Sequence, residues 1–305
     1  MRKLISVGAA VAIAAVVAGS ALADTAPTPL PFPAPKVGPV FVAAQTANTS
    51  GAMASWFAPG STVVFRAYAV DTKTHKLLVA KDVKYFYVKI PNQPNVKLKY
   101  DASAPGATKS LAWTGTWVVP STYPAGIVDF KILVKSNAKR IGQFVQMPVS
   151  TAQLTISPTA AAPFGSGPAA SASPAAGDKA TVALYVDSVN GSSPVGAAKR
   201  AVGCAQTNVY KRGEQVVLRA WGFDLQSGAT LSTDNIDTAT ATVPGLSPLT
   251  LNYGAHGATG AKVWFWTSPF VIPADFPLGD ATIHVAFKTD AGQTGTFDYA
   301  ITVVP

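Results

Sequence analysis

Side chains able to do covalent chemistry are few in this chain, and they are scattered. Histidine occurs only at His75, His256 and His284, and none stands at metal-ligand spacing from another. Cys204 is the single cysteine, without a Cys-x-x-Cys partner. Each histidine is expected on a solvated surface. Cys204 reads as an idle or buried thiol, with pairing to another chain as the alternative. Glycosidic hydrolysis needs two carboxylates facing one cleft, and the first half offers only Asp71, Asp82, Asp101 and Asp129. There is no Gly-x-Ser-x-Gly elbow and no phosphate-cradling glycine loop. These absences argue against an enzyme and imply no cofactor and no metal. What remains is the chemistry of binding. Tyr85, Tyr87 and Lys89 alternate along one stretch, and Lys97 and Lys99 follow on the next. Aromatic rings supply flat contact area and lysines attract anions. Such a face suits an anionic or sugar-bearing partner. It could equally be a solvated face whose lysines discourage edge-to-edge strand pairing.

The elements that must position these residues occur twice. Gly60 to Phe144 aligns without a gap on Gly213 to Phe297, about 153 residues on. Arg66 matches Arg219, Asp71 matches Asp224, Trp113 matches Trp266, and Gly142 matches Gly295. Most telling is a corner: Pro120, Pro124 and Gly126 match Pro273, Pro277 and Gly279. Each corner reads as an aromatic strand stopped by proline, then a turn, then another strand. Within a copy, alternation predicts strands over 61–70, 82–90, 96–100, 111–119, 127–135, 141–147 and 154–156, with a leading strand at 38–44. Trp113 and Trp266 are the largest apolar bodies available to the two cores. Arg66 with Asp71, and Arg219 with Asp224, is the one charged pair both copies keep. It reads as a structural tie in which the arginine lies against aromatics, with a ligand clamp as the alternative.

The copies differ where the binding chemistry lies. Phe86, Val88 and Ile90 match the small apolar Ala239, Ala241 and Val243, so that parity is the core face. The opposite parity, Tyr85, Tyr87 and Lys89, is matched by Thr238, Thr240 and Thr242, while Lys97 and Lys99 match Thr250 and Asn252. The whole chain carries a net charge of +9. Residues 36–158 hold about 14 Lys and Arg against 4 acids, and residues 178–305 about 8 against 10. The basic charge belongs to the first copy.

Sparse charge, abundant glycine and proline, and no long helical periodicity favour an all-β chain. Arg2 and Lys3, the apolar run from Leu4 to Val17, and Ala21-Leu22-Ala23 read as a secretory signal peptide over 1–23, cleaved after Ala23. The expected location is periplasmic or secreted, with no membrane span in the mature chain and no nucleic-acid partner. Residues 24–37 are a Pro-rich lead-in, and 159–180 a Pro/Ala/Ser-rich flexible linker.

The run from Tyr210 through Gly213 to Arg219, then Asp224, Val243-Pro-Gly and the Pro273 to Gly279 corner, resembles immunoglobulin-like sandwiches of the fibronectin-III and macroglobulin types. The resemblance implies two tandem immunoglobulin-like β-sandwich domains, 38–158 and 181–305. The antibody disulfide is absent, and Gly-Cys204-Ala-Gln lacks the residues of a macroglobulin thioester. The resemblance implies adhesion, carrier or accessory binding. The leading expectation is a non-catalytic module whose first domain touches an anionic envelope polysaccharide or another secreted protein. The alternatives are a structural accessory subunit of a secreted assembly and an enzyme with an interdomain site.

Overall fold

The computed structural model describes residues 39–100, 113–146, 152–160, 167, 181–191, 200, 202–257 and 262–305. The expected signal peptide, the lead-in and most of the linker lie outside the described residues. What is described is all-β, with several sheets and one short 3-10 turn at Ala80–Asp82.

The first half opens with β1 (Val40–Ala47), β2 (Trp56–Phe57), β3 (Thr62–Asp71), β4 (Lys76–Leu77), β5 (Val83–Lys89) and β6 (Val96–Lys97). It continues with β7 (Lys99–Tyr100), β8 (Trp113–Val118), β9 (Gly126–Ile127), β10 (Lys131–Ser136), β11 (Ile141–Val145) and β12 (Thr155–Ile156). One sheet runs β1-β3-β8-β7 with β4 beside β3, a second runs β11-β10-β5-β6, and a small third runs β2-β12-β9. The segment expected as one strand over 127–135 is two, β9 and β10, in different sheets. Val63, Phe65 and Ala67 of β3 meet Phe86 and Val88 of β5 and Ile132 and Val134 of β10 in one buried cluster. Period-two alternation therefore sets which side of each sheet is core.

The second half repeats the plan with β13 (Val182–Asn190), β14 (Val209–Lys211), β15 (Gln215–Asp224), β16 (Ile236–Thr242), β17 (Leu249–Thr250), β18 (Asn252–His256), β19 (Val263–Val271), β20 (Gly279–Thr289) and β21 (Thr294–Val304). Its sheets run β13-β15-β19-β18 and β14-β21-β20-β16-β17. Registers match across the repeat. Arg66 lies opposite Thr114, and Arg219 opposite Thr267. Trp113 Nε1 donates to Leu78 O at 2.9 Å, and Trp266 Nε1 to Leu231 O at the same distance. Both indoles thus find the partner that a buried N–H requires.

The corners are built alike. Tyr123 N donates to Pro120 O at 2.9 Å, and Phe276 N to Pro273 O at 3.1 Å. Gly126 (φ +126°) and Gly279 (φ +102°) then take left-handed backbone, with nothing within 4 Å of a Cβ at either. Alanine would fit the space but not the torsion. Gly126→Ala and Gly279→Ala are each expected to cost about 1–2 kcal/mol through strain alone. Urea denaturation checks this, and a loss under about 0.5 kcal/mol would mean the corner relaxes. At Gly142 and Gly295 the constraint is space. A Cβ there would come within 2.3 Å of Val40 O and 2.5 Å of Val182 Cγ1. Glycine lets β1 and β13 lie close over the neighbouring sheets.

The two halves pack directly on each other. Phe41, Ala43, Met53, Tyr68 and Val70 of the first half belong to the buried cluster of the second. Tyr68 Oη donates to Leu184 O at 2.5 Å, and Met53 N to Asn208 Oδ1 at 2.7 Å. Phe41 packs on Phe223 at 5.6 Å between ring centroids. Every residue of β1 and of β13 is buried. One face of β1 serves its own core through Val40, Val42 and Ala44, and the other serves the neighbouring half. Such doubly covered strands read as unbroken apolar runs, and Val-Phe-Val-Ala-Ala is one.

Candidate functional site

The outward face of the β11-β10-β5-β6 sheet gathers the tyrosines and most of the lysines singled out above. With Phe86, Val88, Ile132 and Val134 turned inward, the alternate residues face solvent. Lys89 lies opposite Lys131, Tyr87 opposite Leu133, and Tyr85 opposite Lys135. On the far side of β10, Val145, Gln143 and Ile141 complete the three rows. Lys97 lies opposite Tyr87 on β6. The Tyr85 and Tyr87 rings stand 5.4 Å apart, tilted by 41°. Tyr85 and Ile141 are exposed large apolar groups, at 37% and 48%. Lys131 and Lys135, four residues apart on one strand, bracket the aromatic patch with a spacing of about 13 Å.

Sequence reasoning missed Lys131, Lys135, Leu133 and Ile141. The signal was present in Lys131-Ile-Leu-Val-Lys135, where Ile132 and Val134 mark the core parity. Lys99 needs a correction. The chain changes sheets at Leu98, which is buried and donates its N–H to Phe86 O at 2.9 Å. Lys97 stays with β5, whereas Lys99 pairs with Thr114 in the opposite sheet. Lys99 is exposed but is not part of the Tyr/Lys face.

On the equivalent face of the second half the basic side chains have acidic partners. His284, at the position of Lys131, holds Asp298 at 2.6 Å. Lys288, at the position of Lys135, holds Asp237 at 2.7 Å, and that hydrogen bond raises the Lys288 pKa. Thr238, Thr240 and Thr242 lie between them, opposite Lys288, Ala286 and His284. None of β5, β6, β10 and β11 contains an aspartate or glutamate. The lysines of the first face therefore have no carboxylate on their own strands.

The expected arginine–aspartate ties are not made. Residues five apart on a strand point to opposite faces. Arg219 instead grips Asp187 of β13 through two bonds of 2.6 Å, with its guanidinium 5.3 Å from the centre of the Trp221 ring. Arg66 faces Gln45 rather than a carboxylate and donates to Gly51 O at 3.1 Å; burial lowers its pKa. Asp71 accepts from Arg140 and caps its turn at the Lys73 and Thr74 amides. Asp224 does the same for Gln226 and Ser227. His256 also departs from expectation. It is half-buried and stacked on Phe265 at 4.3 Å; desolvation, then Arg219, lowers its pKa.

The seam between the halves holds a cavity of about 60 Å³, lined by Gln45, Phe144, Tyr185, Asp187, Arg219 and Trp221 among others. That is room for about two waters. Its charged groups are locked together in the Arg219–Asp187 pair. Among the described residues no group of three His, Cys, Asp or Glu side chains could hold a metal ion, and no helix is long and apolar enough to cross a membrane.

No protein-family model matches the chain, and no curated protein does. Among solved structures, it has a likeness to the SGBP-B protein of the mixed-linkage glucan utilization locus of Bacteroides ovatus, in complex with a mixed-linkage heptasaccharide. The identity is 12% and the TM-score 0.17, over 82% of this chain and 43% of that one. Another likeness is to dimeric latent PorU from Porphyromonas gingivalis, with 11% identity and a TM-score of 0.22, over 86% of this chain and 24% of that one. The chain thus spans less than half the length of either. TM-scores of that size fall short of a shared fold.

Proposed function

We propose that this chain is a non-catalytic binding protein acting outside the cytoplasm, built as two immunoglobulin-like sandwiches in tandem, and that the Tyr/Lys face of its first half takes an anionic polysaccharide. One observation carries the reading: Lys89, Lys97, Lys131 and Lys135 surround Tyr85 and Tyr87 with no acid on their strands, while in the second half His284 and Lys288, at the positions of Lys131 and Lys135, each have an aspartate partner. Leaving several like charges together costs folding energy through repulsion. An anionic polymer offsets that cost and lays its sugar rings along the tyrosines. The flat, open sheet face suits an extended chain better than a small molecule, which favours enclosed pockets. The signal-like N-terminus supports the compartment, and nucleic acid has no place in it.

The test is retention of the full chain on an immobilised polyuronate and on a neutral glucan, at about 0.05 and 0.5 M salt. Polyuronate binding is expected to weaken at least ~10-fold at the higher salt, because exposed charges are screened over about 4 Å there against about 13 Å at the lower. Lys131→Gln with Lys135→Gln, and separately Tyr85→Ala with Tyr87→Ala, should each lose ~10-fold or more at low salt. Equal retention of both polymers, or variants that bind like the parent, sinks the reading. Capture of a defined protein at 0.5 M salt, with no polysaccharide retained, would put an accessory subunit in its place.

A further inference from the structure

The loops at one end of the molecule carry opposite charge in the two halves. In the first half that end comprises residues 71–84 and 136–140. It holds Lys73, Lys76, Lys81, Lys84, Lys139 and Arg140 against Asp71 and Asp82. Both aspartates are engaged, Asp71 with Arg140 and Asp82 with the Val79 amide. The equivalent segments of the second half, 224–237 and 289–293, hold Asp224, Asp234, Asp237 and Asp290 and no lysine or arginine. Only Asp237 has its base, Lys288, on the neighbouring strand. Lys73, Lys81, Lys84, Lys139, Asp234 and Asp290 are all exposed.

Both loop clusters sit at the same end. Phe41 packs on Phe223, which lies opposite Ala183. Tyr68, opposite Ala43, bonds Leu184, and Gln45 donates to Val186 O at 3.3 Å. Contacts advance together from 41 to 45 and from 183 to 186, so β1 and β13 run side by side in the same direction. Asp71 and Asp224 lie opposite Val40 and Val182, the first residues of those strands. The basic and acidic clusters therefore flank each other on one end of the molecule.

We infer that two copies of this chain associate end to end about a two-fold axis, the basic cluster of each facing the acidic cluster of the other. A two-fold passing between the clusters, perpendicular both to the strands and to the line joining the clusters, makes the surface self-complementary and forms both contacts at once. A two-fold parallel to the line joining the clusters would set like on like, which is how charge patterning selects register and partner. Exposed ion pairs are individually weak, so the dimer is salt-labile. This inference does not depend on the polysaccharide reading, because the Tyr/Lys sheet face is a separate surface.

Sedimentation equilibrium of the full chain at about 0.05 and 0.5 M salt tests it. A dimer is expected at low salt, with the dissociation constant rising ~10-fold or more at high salt. Reversing the basic cluster with Lys73→Glu, Lys81→Glu and Lys139→Glu should give a monomer, as should reversing the acidic one with Asp234→Lys and Asp290→Lys. Near-UV circular dichroism reports that each remains folded. The chain carrying both reversals has its complementarity restored with inverted sign, and it should dimerise again. Lys131→Gln with Lys135→Gln should dimerise like the parent. A parent that stays monomeric at low salt overturns the inference. So do a single-cluster reversal that leaves the dimer intact, a doubly reversed chain that stays monomeric, and a dimer lost on the sheet-face substitutions.

Discussion

Asp187→Ala is expected to lower the stability of the chain by about 3–5 kcal/mol, the range for breaking a buried ion pair from one side. Asp187 and Arg219 are almost fully enclosed, with side-chain exposures of 2% and 5%. The carboxylate also accepts from Gln206 Nε2 at 2.7 Å and from Tyr185 Oη at 3.2 Å. Without it the guanidinium stays buried against Trp221 and Phe265 with its charge uncompensated. Replacing both partners, Asp187→Leu with Arg219→Met, should cost far less, because two desolvated charges leave together. Equilibrium denaturation of the parent, Asp187→Leu, Arg219→Met and the double variant closes the cycle. A loss under about 1 kcal/mol for Asp187→Ala, or strict additivity, would show that water reaches the pair and screens it.

Phe86→Ala should cost about 3–5 kcal/mol, and adding Val134→Phe should return more than half of it. The two halves solve one packing problem in opposite ways. Phe86 lies opposite Val134, and at the matching cross-strand pair Ala239 lies opposite Phe287. The ring against the core tryptophan is Phe86 on Trp113 at 5.1 Å in the first half, and Phe287 on Trp266 at 5.3 Å in the second. The aromatic has moved to the neighbouring strand while the pair keeps one large and one smaller member. The doubly substituted first half would adopt the second half's arrangement. Thermal or urea denaturation of the cycle decides it, and a double variant no better than Phe86→Ala would mean that the backbones around the tryptophans differ too much for the exchange.

Particular residues show how much of this the sequence carried. Alternation at Phe86, Val88 and Ile90 separated core from surface correctly, because a pleated strand has a period of two and little else. The ungapped match of the copies anticipated their shared registers and both corners. What failed were inferences across space. Recurrence in both copies suggests a pair of Arg219 with Asp224, although an odd separation on a strand sets them on opposite faces. The true partner, Asp187, lies before the aligned region, where the first half has Gln45. Proximity in sequence groups Lys99 with Lys97, because sequence does not show where a chain leaves one sheet for another. The docking of the halves had a trace in the apolar runs of β1 and β13, which can also be read as ordinary core strands. Pairing on an outer face, such as His284 with Asp298, depends on register between strands and has no local signature.

The close approach of β1 and β13 bears on how a duplicated chain drifts. A side chain such as Phe41 is answerable to a neighbour that the ancestral single copy did not possess, so a change there must be accommodated by Phe223 and Tyr68 across the seam. On the outer sheet faces the copies differ as well, as at Tyr87 against Thr240 and Lys131 against His284. A change at the seam has to be matched across it, whereas the faces turned away from it are where one half could acquire a task the other lacks.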